Sequence, residues 1–156
     1  MCCYLHVINT CHACSDVTGQ VEIGLNRMLT IGQMHLQELD VSRTNFPVYA
    51  FCYRWTGLTS LMMDDVHAID IDNLRHVCIG MAGTLRHLSL ARCQFIYSDH
   101  NDDIFFLLLV RLRRTLHYLI VEGINISADV VDTLRSCMPH RHVVVYYCRS
   151  PADLGS

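Results

Sequence analysis

Lysine is absent: all 12 basic residues of the 156-residue chain are arginine. Composition bias is the first explanation, and the chemical consequence is that no side chain here can carry acetyl or ubiquitin groups. Charge of either sign is sparse at 17% of residues, and the net charge is −3. That balance excludes the basic surplus of a nucleic-acid-binding protein, and no arginine block forms a polybasic membrane patch. Long apolar runs are also missing. The longest, IFFLLLV at 104–110, has seven residues, whereas a membrane-spanning helix needs about 20, so it reads as part of a core helix. A Gly-rich phosphate loop, a nucleophile elbow and any organised Ser/His/Asp spacing are missing too, which leaves catalysis and a bound cofactor without support.

What the chain has is apolar bulk. With 51% hydrophobic residues, one continuous core is expected, in a single domain over 1–150 with a C-terminal tail at 151–156. Nine cysteines is an odd number, scattered through apolar positions. They read as reduced, mostly buried thiols in an intracellular compartment. The opening MCCYLHVINTCHAC has no basic n-region, long apolar stretch or Arg/Ser-rich presequence, so neither a secretory nor an import signal is read in it.

A repeat organises the apolar residues. In LRHLSLARCQFI, Leu85, Leu88, Leu90, Cys93 and Ile96 follow the spacing L-x-x-L-x-L-x-x-C-x-x-I. Leu58, Leu61, Met63, Val66 and Ile69 fill the same frame. So do Leu36, Leu39, Val41 and Thr44, and Leu116, Leu119, Val121 and Ile124, the last copy departing by one residue at Ile126. HRHVVVYYC fits through His140, Val143, Val145 and Cys148, and a weaker copy runs through Cys2, Leu5, Val7 and Thr10. First slots at 2, 36, 58, 85, 116 and 140 are 34, 22, 27, 31 and 24 residues apart. Leucine-rich repeats usually run about 20–29, so the array is irregular, with about five to six copies.

Residues two apart on a strand face the same side, so Leu88 and Leu90 point together into a core and Ser89 points out. Cys93, Val66 and Cys148 turn the chain inward, and a return helix covers the open side. Leu74, Val77, Cys78 and Met81 have helical spacing that ends near Gly83. A second helix starts in the polar residues 98–103 and continues through 104–112. Ser127 is a good N-cap for a third, carrying Val130, Val131, Leu134 and Cys137 and stopped by Pro139. Residues 16–29 read as a further helix despite Gly19 and Gly24, whereas the aromatic stretch 44–57, with Pro47, replaces a helix by an irregular turn. The expected fold is α/β: a short, irregular leucine-rich-repeat solenoid with parallel strands on the concave face and helices on the convex face.

With Cys at the turn and a helix ending in Cys-x-Pro, as in LRSCMPHRHVVVYYC, the chain resembles the cysteine-containing leucine-rich repeats of F-box adaptors. Over 58–148 it also resembles the family of ATP synthase subunit s (coupling factor B) and the related complex I assembly proteins. The shared features are CQFI at 93–96, the NIS helix start at 125–127 and the final strand after Met138-Pro139. That resemblance implies a non-catalytic structural or assembly subunit of a mitochondrial inner-membrane complex, respiratory chain or ATP synthase. It reaches the membrane through partner proteins alone. A cytoplasmic substrate-recognition module of an F-box-type ubiquitin ligase is the alternative.

Three polar clusters compete with this reading. Cys11 and Cys14, with Cys2 and Cys3 nearby, suggest zinc, but a structural site needs a second pair of similar spacing. Ser98 to Asp103 could hold a cation, yet acidic and capping residues at a helix start favour the macrodipole without one. His140 and His142 share a strand face but lack a third ligand. No metal is expected. The arginines at 111, 113 and 114 read as a solvated face. The informative positions are those facing outward from the sheet. Glu38, Asp40, Ser42, Ser60, Asp64 and Asp65 stand there in early copies; Tyr118, Ile120, Val144, Tyr146 and Tyr147 stand there in later ones, with Met62 as an early apolar outlier. A terminal cap could cover the last of these. A patch of Met62, Tyr118, Ile120, Val144, Tyr146 and Tyr147 otherwise implies a protein partner.

Overall fold

Leu5, Leu39, Leu61, Leu88, Leu119 and Val145 stand side by side on neighbouring strands in the computed structural model of the chain. The structure describes residues 3–6, 36–44, 48, 52–53, 55, 57–66, 69–94, 101–124, 127–138 and 144–146, with backbone alone for 3–6, 101–104, 128 and 144–146. The strands are β1 (Cys3–His6), β2 (Leu36–Asp40), β3 (Ser60–Met62), β4 (His87–Ser89), β5 (Tyr118–Ile120) and β6 (Val144–Tyr146). They form one sheet in chain order, every pair parallel. Between them run α1 (Ile71–Gly80), α2 (Asn101–Leu112) and α3 (Ala128–Cys137), giving a mixed α/β architecture.

The sequence frame explains why the sheet is buried on one side. Its first slots (Leu36, Leu58, Leu85, Leu116), second slots (Leu39, Leu61, Leu88, Leu119) and third slots (Val41, Met63, Leu90, Val121) are all buried and belong to one core cluster. The helices complete that cluster with faces of helical period: Leu74, Val77 and Cys78 from α1, Phe105, Leu108, Leu109 and Leu112 from α2, Val131, Leu134 and the following Met138 from α3. Local signals set the helix starts. The Asp70 carboxylate accepts from the Asp72 amide at 3.0 Å, and the Ser127 hydroxyl accepts from the Val130 amide at 3.4 Å, each satisfying an orphan donor of the first turn.

Each strand leaves through the same turn. Four residues after the second-slot leucine the backbone enters the left-handed region, at Arg43 (φ 60°), Asp65 (φ 56°), Arg92 (φ 55°) and Gly123 (φ 68°). For a residue with a Cβ that conformation costs about 1–2 kcal/mol. The turns offset the cost by bonding to one another: the amides of Arg43, Asp65 and Arg92 donate to the carbonyls of Asp64, Ala91 and Glu122 at 2.8, 2.8 and 2.7 Å. Their charges alternate as well. Asp65 accepts from Arg92 at 2.7 and 2.9 Å and from Arg43 at 3.3 Å. At Gly123 a Cβ would lie 3.2 Å from Arg92 Cγ, so the fourth turn takes the residue that has none. One position later, the Thr44 hydroxyl donates to the Val41 carbonyl and the Cys93 thiol to the Met63 carbonyl, at 2.7 and 2.8 Å. Burial pushes the Cys93 thiol up to about 12, which keeps it a neutral donor.

Two expectations need correction. One residue after Pro47 the chain is helical at Val48, whose carbonyl accepts from the Cys52 amide at 3.1 Å. Val48, Cys52 and Trp55 are buried in the core. This turn therefore does the covering work of a helix; apolar residues four apart outweighed the proline that suggested irregularity. It docks on α1 so closely that a Cβ on Gly80 would stand 3.0–3.2 Å from Cys52 atoms, and the Cys52 thiol donates to the His76 carbonyl at 3.2 Å. In β6 the register lies two residues later than the frame placed it: Val145, not Val143, pairs with Leu119. Residues 143–147 are apolar at every position, so alternation could not pin the strand. Cys52, Cys78 and Cys93 are buried free thiols and Cys137 is exposed. The proposed helix at 16–29 and Cys2, Cys11, Cys14, Val143 and Cys148 lie outside the described residues.

Leu88→Ala, in the middle of the row, should cost roughly 2–5 kcal/mol in urea unfolding. Leu107→Ala, on the exposed side of α2, should change stability by no more than about 0.5 kcal/mol. The hydrogen bonds from Arg92, outweighing desolvation and aided by Arg43, hold the Asp65 carboxyl below its ordinary value of 3.8. Its ion pairs thus add stability above that pH, and the gain is lost as pH falls through the lowered folded value. Asp65→Asn should be less stable than the parent chain at neutral pH, and the gap should close in urea titrations carried below 3.8.

Candidate docking face of the sheet

On β2 to β5 the residues flanking each second-slot leucine point away from the core, because successive side chains of a strand alternate; on β1 and β6 the backbone register gives the matching positions. Strand pairing sorts them into two rows. One row holds Tyr4, Glu38, Ser60, His87, Tyr118 and Val144. The other holds His6, Asp40, Met62, Ser89, Ile120 and Tyr146.

The first row changes character from β2 to β5. Glu38 is exposed. Ser60 Oγ approaches His87 Nδ1 at 3.4 Å, and the His87 and Tyr118 rings meet edge to face with centroids 5.9 Å apart. Tyr118 remains 49% exposed, so it stays open to solvent while in contact with the His87 ring. The neighbours of His87 are a hydroxyl and an aromatic ring, not the carboxylate that would orient a catalytic base, and 3.4 Å is long for an activated nucleophile.

In the second row Met62 and Ile120 are half-buried on either side of Ser89, which is only 2% exposed although it faces outward. Its hydroxyl donates to Asp64 Oδ1, which also accepts the Ala91 amide at 3.0 Å. The Asp64 amide in turn donates to Ser42 Oγ at 3.1 Å, and the Ser42 amide to Asp40 Oδ1 at 3.0 Å.

Several acidic residues that the sequence placed on the outward face are thus committed elsewhere. Asp64 and Asp65 belong to the turn beyond the strand end, where one is hydrogen-bonded by the next strand and turn and the other is paired with two arginines. Asp40 and Ser42 begin the same network.

Of the expected partner-facing residues, Met62, Tyr118 and Ile120 come together on β3 and β5, with Val144 and Tyr146 next in register on β6. Tyr147, His140 and His142 lie outside the described residues, as do the side chains of Asn101, Asp102 and Asp103. The sequence reading overlooked His87 as a member of the face, although its place beside Leu88 was enough to find it. The arginines at 111, 113 and 114 are exposed at the end of α2. Among the described residues no cluster of three His, Cys, Asp or Glu side chains could hold a metal ion, and no helix is long and apolar enough to cross a membrane.

No family model, curated protein or solved structure matches the chain.

Asp64→Ala should cost about 2 kcal/mol, because it strands the Ser89 hydroxyl and the Ala91 amide without their acceptor. Glu38→Ala should stay within about 0.5 kcal/mol of the parent chain. Urea midpoints of the two variants separate the turn network from the exposed face.

Proposed function

We propose that this chain is a short leucine-rich-repeat protein that acts by holding another protein against the outward face of its sheet. In this reading it is a non-catalytic structural or assembly subunit of a larger complex. Support for the repeat class comes from the recurring frame and from its leucines standing in one row across parallel strands. The single observation that carries the binding role is that Met62, Tyr118 and Ile120, all at least partly exposed, share the outward side of the sheet, with Val144 and Tyr146 next to Tyr118 and Ile120 in register. Interface cores favour aromatic residues and methionine and are depleted of charge. A rigid tyrosine beside aliphatic neighbours has the make-up of a binding hot spot. The resemblance to the subunit s and complex I assembly proteins adds the mitochondrial inner membrane as the site of action, reached through the partner.

Blue-native electrophoresis of the chain in its native source tests the reading. The parent chain should migrate with a high-mass complex. Ile120→Glu combined with Tyr118→Ser should migrate as the free chain while keeping the parent's urea midpoint, since both positions reach solvent. A double variant that still enters the complex would refute the face as the docking surface.

A further inference from the structure

The opposite chemistry gathers where the strands begin. Leu58, Leu85 and Leu116 are buried, so the residues on either side of each are turned outward at the entry end of β3, β4 and β5. There they line a half-open cavity of about 290 Å³, near the lower bound of small-molecule sites. Among the described residues its lining includes Arg86, Arg114, His117, Thr59, Thr84 and Thr115 and no carboxylate. Two arginines therefore line one concavity in a chain of net charge −3.

The cations are also unsatisfied. Arg43, Arg92 and Arg135 each pair with an aspartate, whereas Arg86 and Arg114 have no ion-pair partner among the described residues. Glu38 pairs in register with Ser60 but does not line the cavity, and Asp40, Asp64, Asp65 and Glu122 stand at or beyond the exit ends of the strands. The backbone amides of Arg86, His87, His117 and Tyr118 are occupied by the Thr59 and Arg86 carbonyls, so recognition in the cavity falls to side chains. The Thr59 and Thr115 hydroxyls already donate to the carbonyls of Gln37 and Ala82, at 3.1 and 3.0 Å. Thr84 Oγ1 is shielded from solvent and has no hydrogen-bond partner among the described residues, which leaves one hydroxyl in reserve.

From this wall we infer that the cavity is a binding site for a phosphoryl dianion. Two guanidinium forks offer paired donors to a group with three or more acceptor oxygens, and a single carboxylate would saturate only one of them. No described lining residue is a carboxylate, so none of them competes for the arginines. The site is separate from the docking face: it lies at the entry ends of the strands and does not include Met62, Tyr118 or Ile120. Its phosphoryl group comes either from a small phosphate compound or from a phosphorylated side chain of a partner.

Isothermal titration of the full chain with inorganic phosphate, with pyrophosphate and with a short phosphoserine peptide tests the assignment. At least one should bind, and Arg86→Gln and Arg114→Gln should each weaken it by about tenfold or more, a loss of about 1.4 kcal/mol. Arg75→Gln, which removes the same charge from exposed α1 away from the cavity, should leave affinity within about twofold. Tightest binding of the phosphopeptide assigns the group to a partner side chain, and tightest binding of an inorganic anion assigns it to a small compound. Failure of all three probes to bind overturns the proposal, as does an Arg75→Gln loss equal to that of Arg86→Gln.

Discussion

Everything described depends on the lateral stacking of second-slot leucines across short parallel strands. From β3 to β6 each strand is three residues long, too short to hold itself by backbone bonds alone. Burial of each leucine between its neighbours and the covering helix contributes roughly 1.5–3 kcal/mol relative to an exposed side chain. No single strand-and-helix unit can collect that energy, because its leucine needs the adjacent unit to shut water out on both sides. The row is therefore cooperative: removing one member exposes two others.

The turns convert that row into a rigid surface. A left-handed residue at the same place in four successive turns brings the chain back toward the core with the least number of residues. Bonding from turn to turn makes the strain collective, and alternating arginine and aspartate adds a charge ladder along the exit edge. Asp64 then fastens the β3 turn to the next layer by taking donors from β4 and the turn after it. Because these groups are consumed in holding the edge, the outward face is left with Met62, Ile120 and the His87–Tyr118 ring pair on a framework that cannot easily flex. That is the arrangement a docking surface requires, since side chains fixed beforehand lose little entropy on contact.

Strand direction also separates chemistries. All strands are parallel, so every entry lies at one edge and every exit at the other. The exit edge carries the Arg43–Asp65–Arg92 ladder with Asp64, and the entry edge carries Arg86 and His117. An antiparallel sheet would have interleaved the two edges.

Much of the fold was legible in the sequence because its causes are local or periodic. The leucine spacing identified the buried slots of β2 to β5, and the cap at Ser127 marked a helix start, since a capping side chain reaches only two or three residues along the chain. The sequence also placed Met62, Tyr118 and Ile120 on one face through simple alternation. Other features needed the assembled sheet. The register of β6 was undecidable within an apolar run and was settled by pairing with β5. Asp64 looked like a surface carboxylate because its partners Ser89 and Ala91 are 25 and 27 residues away. The cationic cavity draws on three separate strand entries. Periodicity reports which side of the chain is buried; only packing reports which distant groups that burial brings together.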